Sequence, residues 1–144
     1  MTDVSTVSRT FAAEPNRIAE IRDFIEDILG SRVSGESLTT FKIIADEILA
    51  NVSMYAYDNN MDKWLEIRIR IHDGAVFMSF VDAGKPFDPT SAPDPDTELS
   101  VEEREFGGLG IYVVKNLADE MSYFRESGLN ILTIKKKIQE PAVL

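Results

Sequence analysis

Among its 144 residues the chain has no cysteine, one histidine and one tryptophan. Without cysteine there is neither a disulfide framework nor a thiolate metal site. Positive charge is also scarce. Fifteen Lys and Arg stand against 25 Asp and Glu, a formal net charge of -10, which argues against the basic face that a nucleic-acid surface carries. An anionic small ligand is not excluded by it, because backbone amides and one metal ion can hold phosphates locally. No apolar run approaches the length that crosses a bilayer, and the N-terminus lacks a charged-then-apolar signal pattern. These absences leave a cytoplasmic, soluble chain as the expectation, with no direct contact to nucleic acid or membrane.

What is present suits one ordinary domain over residues 1–144, large enough for a single buried core. Residues 4–13 can form a first strand. Pro15 then suits the first turn of a helix whose Ile18, Ile21, Ile25 and Ile28 or Leu29 recur at helical spacing until Gly30. Ser34 or Ser37 is a plausible N-cap for a second helix. Residues 64–72, WLEIRIRIH, alternate strictly, with Leu65, Ile67, Ile69 and Ile71 on one face. The same alternation makes His72, the single histidine, an exposed strand residue rather than a catalytic one. Asp73-Gly74 is a strong hairpin signal, with AVFMSFVD as the antiparallel partner.

After the Asp82–Pro89 segment no periodicity survives up to Phe106, and four of the six prolines (Pro86, Pro89, Pro93, Pro95) lie between Asp82 and Phe106. A long unpatterned loop inside a compact domain is a functional lid or a linker. The residues beyond it are too few to fold alone, so a lid is the better reading. Next come Gly107-Gly108-Leu109-Gly110 and a helical pattern over 111–121, with Ile111, Val114, Ala118 and Met121 repeating. A closing hairpin follows around Ser127-Gly128, with Ser122–Arg125 and Asn130–Ile138 as its arms. Lys135–Lys137 read as a solvated strand end. Strand, helix, helix, hairpin, long loop, helix, hairpin is the string of an α+β, two-layer α/β sandwich: a mixed, mostly antiparallel sheet with helices on one face.

Three features could carry chemistry. In the second helix, Phe41, Ile44, Ala45, Ile48, Val52 and Tyr55 form an apolar arc, while Lys42, Asp46 and Ser53 face water. Glu47 and Asn51 stand one turn apart within apolar surroundings. They are either a helix edge reaching solvent or a polar site completed by a ligand or metal, since burying them unpaired is costly. Asp82 ends an apolar strand two residues before Gly84. It is either a turn-initiating aspartate or an acceptor for an exocyclic amine such as adenine offers. The glycines at 107–110 are either a tight turn or a place where a backbone approaches phosphate at a helix N-terminus. They match neither the dinucleotide fingerprint nor the GxxxxGKS phosphate loop.

In order, these segments resemble the nucleotide-binding boxes of the GHKL ATPase/kinase superfamily, most closely the bacterial anti-sigma-factor serine/threonine kinases. The first box, Glu-x-x-x-Asn, is Glu47 to Asn51. The second, Asp-x-Gly-x-Pro-Phe-Asp-Pro, is Asp82–Pro89, and the third is Gly107–Ile111. Asn130–Thr133 resembles the family's final strand, and the likeness runs over residues 10–138. The resemblance implies the Bergerat ATP-binding fold, with ATP and Mg2+ as cofactors. By the same resemblance Glu47 is the catalytic base and Asn51 the magnesium ligand. Asp82 holds the adenine amine, and Gly84 allows the base close approach. Residues 88–106 form the ATP lid, and Gly107, Gly108, Leu109 and Gly110 lie at the phosphates, with Lys85, Arg104 and Thr133 as further contacts. The implied partners are a sigma factor, which it sequesters, and an anti-sigma-factor antagonist, which it phosphorylates on serine or threonine. A homodimer is compatible with the apolar first helix. A nucleotide-gated binding module with little or no kinase activity is the alternative function.

Overall fold

The computed structural model describes residues 3–58, 62–91 and 108–138. Five strands, β1 (Val4–Ala12), β2 (Trp64–His72), β3 (Ala75–Asp82), β4 (Glu120–Glu126) and β5 (Leu129–Lys137), form one sheet in the order β1-β2-β3-β5-β4. Every pairing is antiparallel, so the sheet is not mixed as the sequence pattern allowed. Period-2 alternation decides its faces. Leu65, Ile67, Ile69 and Ile71 of β2 are buried, as are Val76, Met78 and Phe80 of β3 and Leu132 and Ile134 of β5. Both hairpins turn through two residues of positive φ, Asp73-Gly74 and Ser127-Gly128, the backbone twist that matches paired strands.

Helices α1 (Ile18–Leu29), α2 (Gly35–Asn51) and α3 (Gly108–Leu117) cover the buried face, with α2 in the middle and in contact with both others. Ile21, Phe24, Ile25 and Leu29 of α1 are buried, as are Phe41, Ile44, Ala45, Ile48 and Leu49 of α2 and Ile111 and Val114 of α3. Ser34 is the N-cap of α2, its side chain accepting from the Ser37 amide. Arg22 of α1 forks onto Asp46 of α2 through both carboxylate oxygens, a directional tie between two helices.

Two boundaries differ from the sequence pattern. Beyond Asn51 the helix continues as a π turn over Val52–Ala56. The extra residue rotates the last side chains about the axis. Ser53, expected at the water face, is therefore buried and donates to the Ala50 carbonyl, while Tyr55, expected in the apolar arc, is only half-buried and Leu49 takes its place in the core. At the other end of the chain, α3 stops at Leu117 instead of running to Met121. The Asp119 amide donates to the Lys135 carbonyl of β5, which starts β4 and sets Met121 opposite Ile134. Lys136, expected as part of a solvated strand end, instead donates to the Leu117 carbonyl, placing a cation at the negative end of α3.

Tyr57 joins the two halves that flank the cavity described below. Its buried hydroxyl donates to the Trp64 carbonyl at 2.7 Å and accepts from the Ala83 amide at 2.9 Å. Burial raises its pKa, with the Ala83 and Trp64 hydrogen bonds acting the other way and Asp82 adding to the rise. Tyr57→Phe removes both hydrogen bonds without changing the ring. It should lower unfolding stability by about 1–3 kcal/mol, measured as a drop in urea midpoint; an unchanged midpoint would make the link dispensable.

Candidate functional site

The end of α2, the end of β3 and the start of α3 meet around a cavity of about 600 Å³. Its wall includes Asn51 and Tyr55 from α2 and its π turn, Phe80 and Asp82 from β3, Ile111 from α3, and Asn130 and Leu132 from β5. Such a mostly apolar concavity with a few convergent polar groups has the form of a small-molecule site.

Asp82 sits at one end, 8% exposed. Its Oδ1 accepts from the Gly84 amide at 2.8 Å and from Asn130 Nδ2 at 2.9 Å. Burial raises the Asp82 pKa; the Asn130 and Gly84 hydrogen bonds and the charge of Arg125 oppose that rise. Gly84 is fixed by sterics. A Cβ there would lie 2.3 Å from the Ala56 carbonyl oxygen, so any side chain would push β3 away from the π turn. The next amide, Lys85, donates to that same oxygen at 2.7 Å. Lys85 lines the cavity at this end, and its ammonium stands 3.6 Å from the exposed Asp58 carboxylate.

Glu47 and Asn51 are at the other end, against the first turn of α3. A Cβ on Gly110 would come 2.8 Å from Glu47 Oε2, 3.8 Å from Asn51 Nδ2 and 3.9 Å from Asn51 Oδ1. Glycine at 110 thus lets the α3 backbone close onto both polar side chains of α2. The Asn51 Nδ2 atom is buried without a hydrogen-bond partner among the described residues. Glu47 is half-buried and lies beside the cavity, not in its lining. Gly108, Leu109 and Gly110 are already helical, three residues earlier than the pattern suggested, so their free amides belong to the N-terminal turn of α3.

Two of the expected contacts, Arg104 and Gly107, and the larger part of the expected 88–106 lid lie outside the described residues. Thr133 is described, and it is not at the cavity. It is on the helix-free face of the sheet, its Oγ1 2.7 Å from Ser79 Oγ. Alternation makes this inevitable, because Leu132 and Ile134 face the core. The same alternation turns Asn130 inward, and the sequence pattern did not single it out. Asn130 is 6% exposed and directly opposite Asp82 in the β3–β5 register. A polar residue in phase with Leu132 and Ile134 was the available signal, the strand counterpart of Asn51 on α2.

Residues 11–136 match the family model described as the histidine kinase-like ATPase domain. The chain belongs to this family. Membership implies a kinase-like ATPase that binds ATP, in agreement with the cavity. Among similar proteins is the serine/threonine-protein kinase BtrW of Bordetella bronchiseptica, 28% identical over 106 residues, which covers 74% of this chain and 75% of that protein. The serine-protein kinase RsbW of Staphylococcus aureus is 26% identical over 137 residues, with 92% of this chain and 78% of that protein covered. In three dimensions the chain is similar to the crystal structure of the RsbU and RsbW domains of a Mycobacterium tuberculosis protein, with a TM-score of 0.68 at 16% identity. That likeness covers 96% of this chain and about a third, 34%, of the other, and it bears on the fold. Among the described residues no helix is long and apolar enough to cross a membrane.

The raised Asp82 pKa has a consequence for stability. A carboxyl that holds its proton more tightly when folded adds stability below its unfolded pKa, and that stability is lost as pH rises through the folded pKa. At neutral pH the ionised Asp82 is therefore a cost to the fold. Asp82→Asn keeps an acceptor for Gly84 and Asn130 and removes the charge. The variant should melt at or above the parent temperature at pH 7, and its advantage should shrink toward pH 3.8, the ordinary carboxylate value. A variant that melts well below the parent at pH 7 would show the charge to be stabilising.

Proposed function

We propose that this domain is an ATP:protein serine/threonine phosphotransferase of the anti-sigma-factor type. In this reading it binds a sigma factor and phosphorylates a serine or threonine of an anti-sigma-factor antagonist, which controls the sigma factor's release. One observation carries the proposal. One cavity has a buried carboxylate, Asp82, at one end and Asn51 at the other, with Glu47 beside it, both packed against the N-terminal turn of α3. The first end suits a base with an exocyclic amine, the second a phosphate chain. The kinase names of BtrW and RsbW support the choice of reaction class.

The residues present fit a magnesium nucleotide. Asn51 offers a neutral amide oxygen, and its unpartnered amino group can donate to an anionic oxygen. Mg2+ usually keeps several waters and takes few protein ligands, which agrees with the absence of any three-residue acidic or histidine cluster among the described residues. Bound there, the ion would neutralise charge on the transferred phosphate. Asn51 would hold it, the amides of Gly108, Leu109 and Gly110 would cradle phosphate oxygens, and Asp82 would orient the base. Glu47 would accept the proton of the attacking hydroxyl, a role worth about 10²–10⁴-fold in rate. Phosphoryl transfer of this kind depends on positioning and charge stabilisation more than on covalent chemistry.

Incubation with labelled ATP, Mg2+ and the proteins of neighbouring genes should label one antagonist on serine or threonine. Glu47→Gln should leave ATP affinity within about threefold and reduce labelling by at least about 100-fold. Full labelling by that variant would remove Glu47 from the mechanism. Tight ATP binding by the parent with no labelled protein would leave a nucleotide-gated binding module instead.

A further inference from the structure

Asn130 is the most completely engaged side chain beside the cavity. Its Nδ2 donates to Asp82 Oδ1 at 2.9 Å and to the Lys85 carbonyl at 2.8 Å, and it lies 3.4 Å from the Gly84 carbonyl. Its Oδ1 accepts from the Tyr123 hydroxyl and from Arg125 Nη1, the latter at 3.1 Å. Arg125 also donates to the Gly84 carbonyl at 2.7 Å. These partners dictate which way the amide points. Turned over, its oxygen would face a carboxylate and two carbonyls, and its amino group would face a guanidinium and a hydroxyl that has lost its acceptor.

The arrangement acts on Asp82. Asn130 and the Gly84 amide both donate to Oδ1, so one oxygen of the carboxylate is committed to the protein. The other, Oδ2, has no donor among the described residues, although Asp82 is buried and lines the cavity. An ionised carboxylate oxygen only accepts. It welcomes an amino group and repels a carbonyl, whereas a protonated carboxyl could donate to that carbonyl.

We propose that Asn130, oriented by Tyr123 and Arg125, is a positioning residue that keeps Asp82 acceptor-only toward the cavity, and thereby makes the site select 6-amino over 6-oxo purine nucleotides. The proposal rests on the cavity being a nucleotide site. Burial works against the arrangement by favouring the protonated carboxyl, and the Asn130 hydrogen bond is the first-named effect that opposes it. The charged or titratable groups around Asp82 are Arg125 from β4, which lowers its pKa, Tyr57, whose hydroxyl holds the neighbouring Ala83 amide, and Lys85, which lines the same end of the cavity and pairs with Asp58. Tyr123 reaches it only through Asn130. Losing Asn130 therefore frees the carboxylate to rotate and brings its protonation closer to neutral pH.

The test compares affinities for ATP and inosine triphosphate, which differ in the 6-substituent, from pH 5.5 to 8 with Mg2+. The parent should prefer ATP by at least about tenfold, with little change over that range. Asn130→Ala should narrow the preference several-fold, and further in acid, where a protonated Asp82 can donate to the 6-oxo group. Tyr123→Phe, which removes one donor to Asn130 on an edge strand, should narrow it less. That second variant decides the matter if Asn130→Ala does not fold. Unaltered ratios and pH profiles in the folded variants would overturn the role of Asn130 while leaving the nucleotide site standing. A parent that binds neither nucleotide would overturn both.

Discussion

One contact fixes the distance between the two halves of the site. The Ala56 carbonyl, at the end of the π turn, receives the Lys85 amide at 2.7 Å, and the residue just before that amide, Gly84, is glycine because nothing larger fits under the carbonyl. Backbone thus touches backbone where α2 ends and β3 ends. The π turn makes this geometry available. The last four carbonyls of any helix lack an intrahelical partner, and the direction this last turn takes presents the Ala56 oxygen to Lys85 and the Ser53 oxygen to Lys63. With those ends pinned, Asn51 and Asp82 line the same cavity from opposite elements. Gly110 repeats the device on α3, where the missing side chain lets the helix close on Glu47 and Asn51.

The polar groups so brought together do not serve the fold. Asp82 is buried in a state that burial disfavours, and the Asn51 amino group is buried without a partner. A buried polar group left unsatisfied costs about 1–3 kcal/mol, and apolar residues at these positions would have extended the core that Ile48, Phe80 and Ile111 already form. Asn130 shows the contrast. It is equally buried but fully partnered, so it can be retained at little cost. Partnered and unpartnered polar groups around one cavity divide the labour: the first hold shape, and the second wait for something to bind.

Much of this was legible in the chain. Period-2 alternation over Trp64–His72, the Asp73-Gly74 turn, and the 3.6-residue spacing of Phe41, Ile44, Ala45 and Ile48 each follow from local rules, and each element formed where those rules put it. Glu47 and Asn51 were visible as misfits in an apolar setting. What was not legible depends on contacts distant in sequence. Ser53 turned inward because a π turn, whose end meets Lys85 of the β3 end, rotated the helix end. Met121 left its helical pattern because Asp119 met Lys135 of a later strand. Thr133 and Asn130 exchanged importance for a simpler reason. Leu132, Ile134 and Ile138 alternate with their neighbours in the sequence, and that phase turns Asn130 inward and Thr133 to the other face, whereas the family likeness had pointed to Thr133.

The net charge of -10 bears on how such a chain can attract an anionic ligand at all. Among the described cavity-lining residues the one cation is Lys85, at the Asp82 end, and Arg125 nearby is engaged by Gly84 and Asn130. The end beside Glu47 and Asn51 has no described Lys or Arg in its lining. Attraction for phosphate there would come from the free amides of α3's first turn, equivalent to about half a positive charge, and from a divalent ion. That half charge stands beside the Glu47 carboxylate, which would work against an approaching phosphate. A metal-bound nucleotide, with part of its charge offset by the cation, would meet less of that repulsion than the free anion.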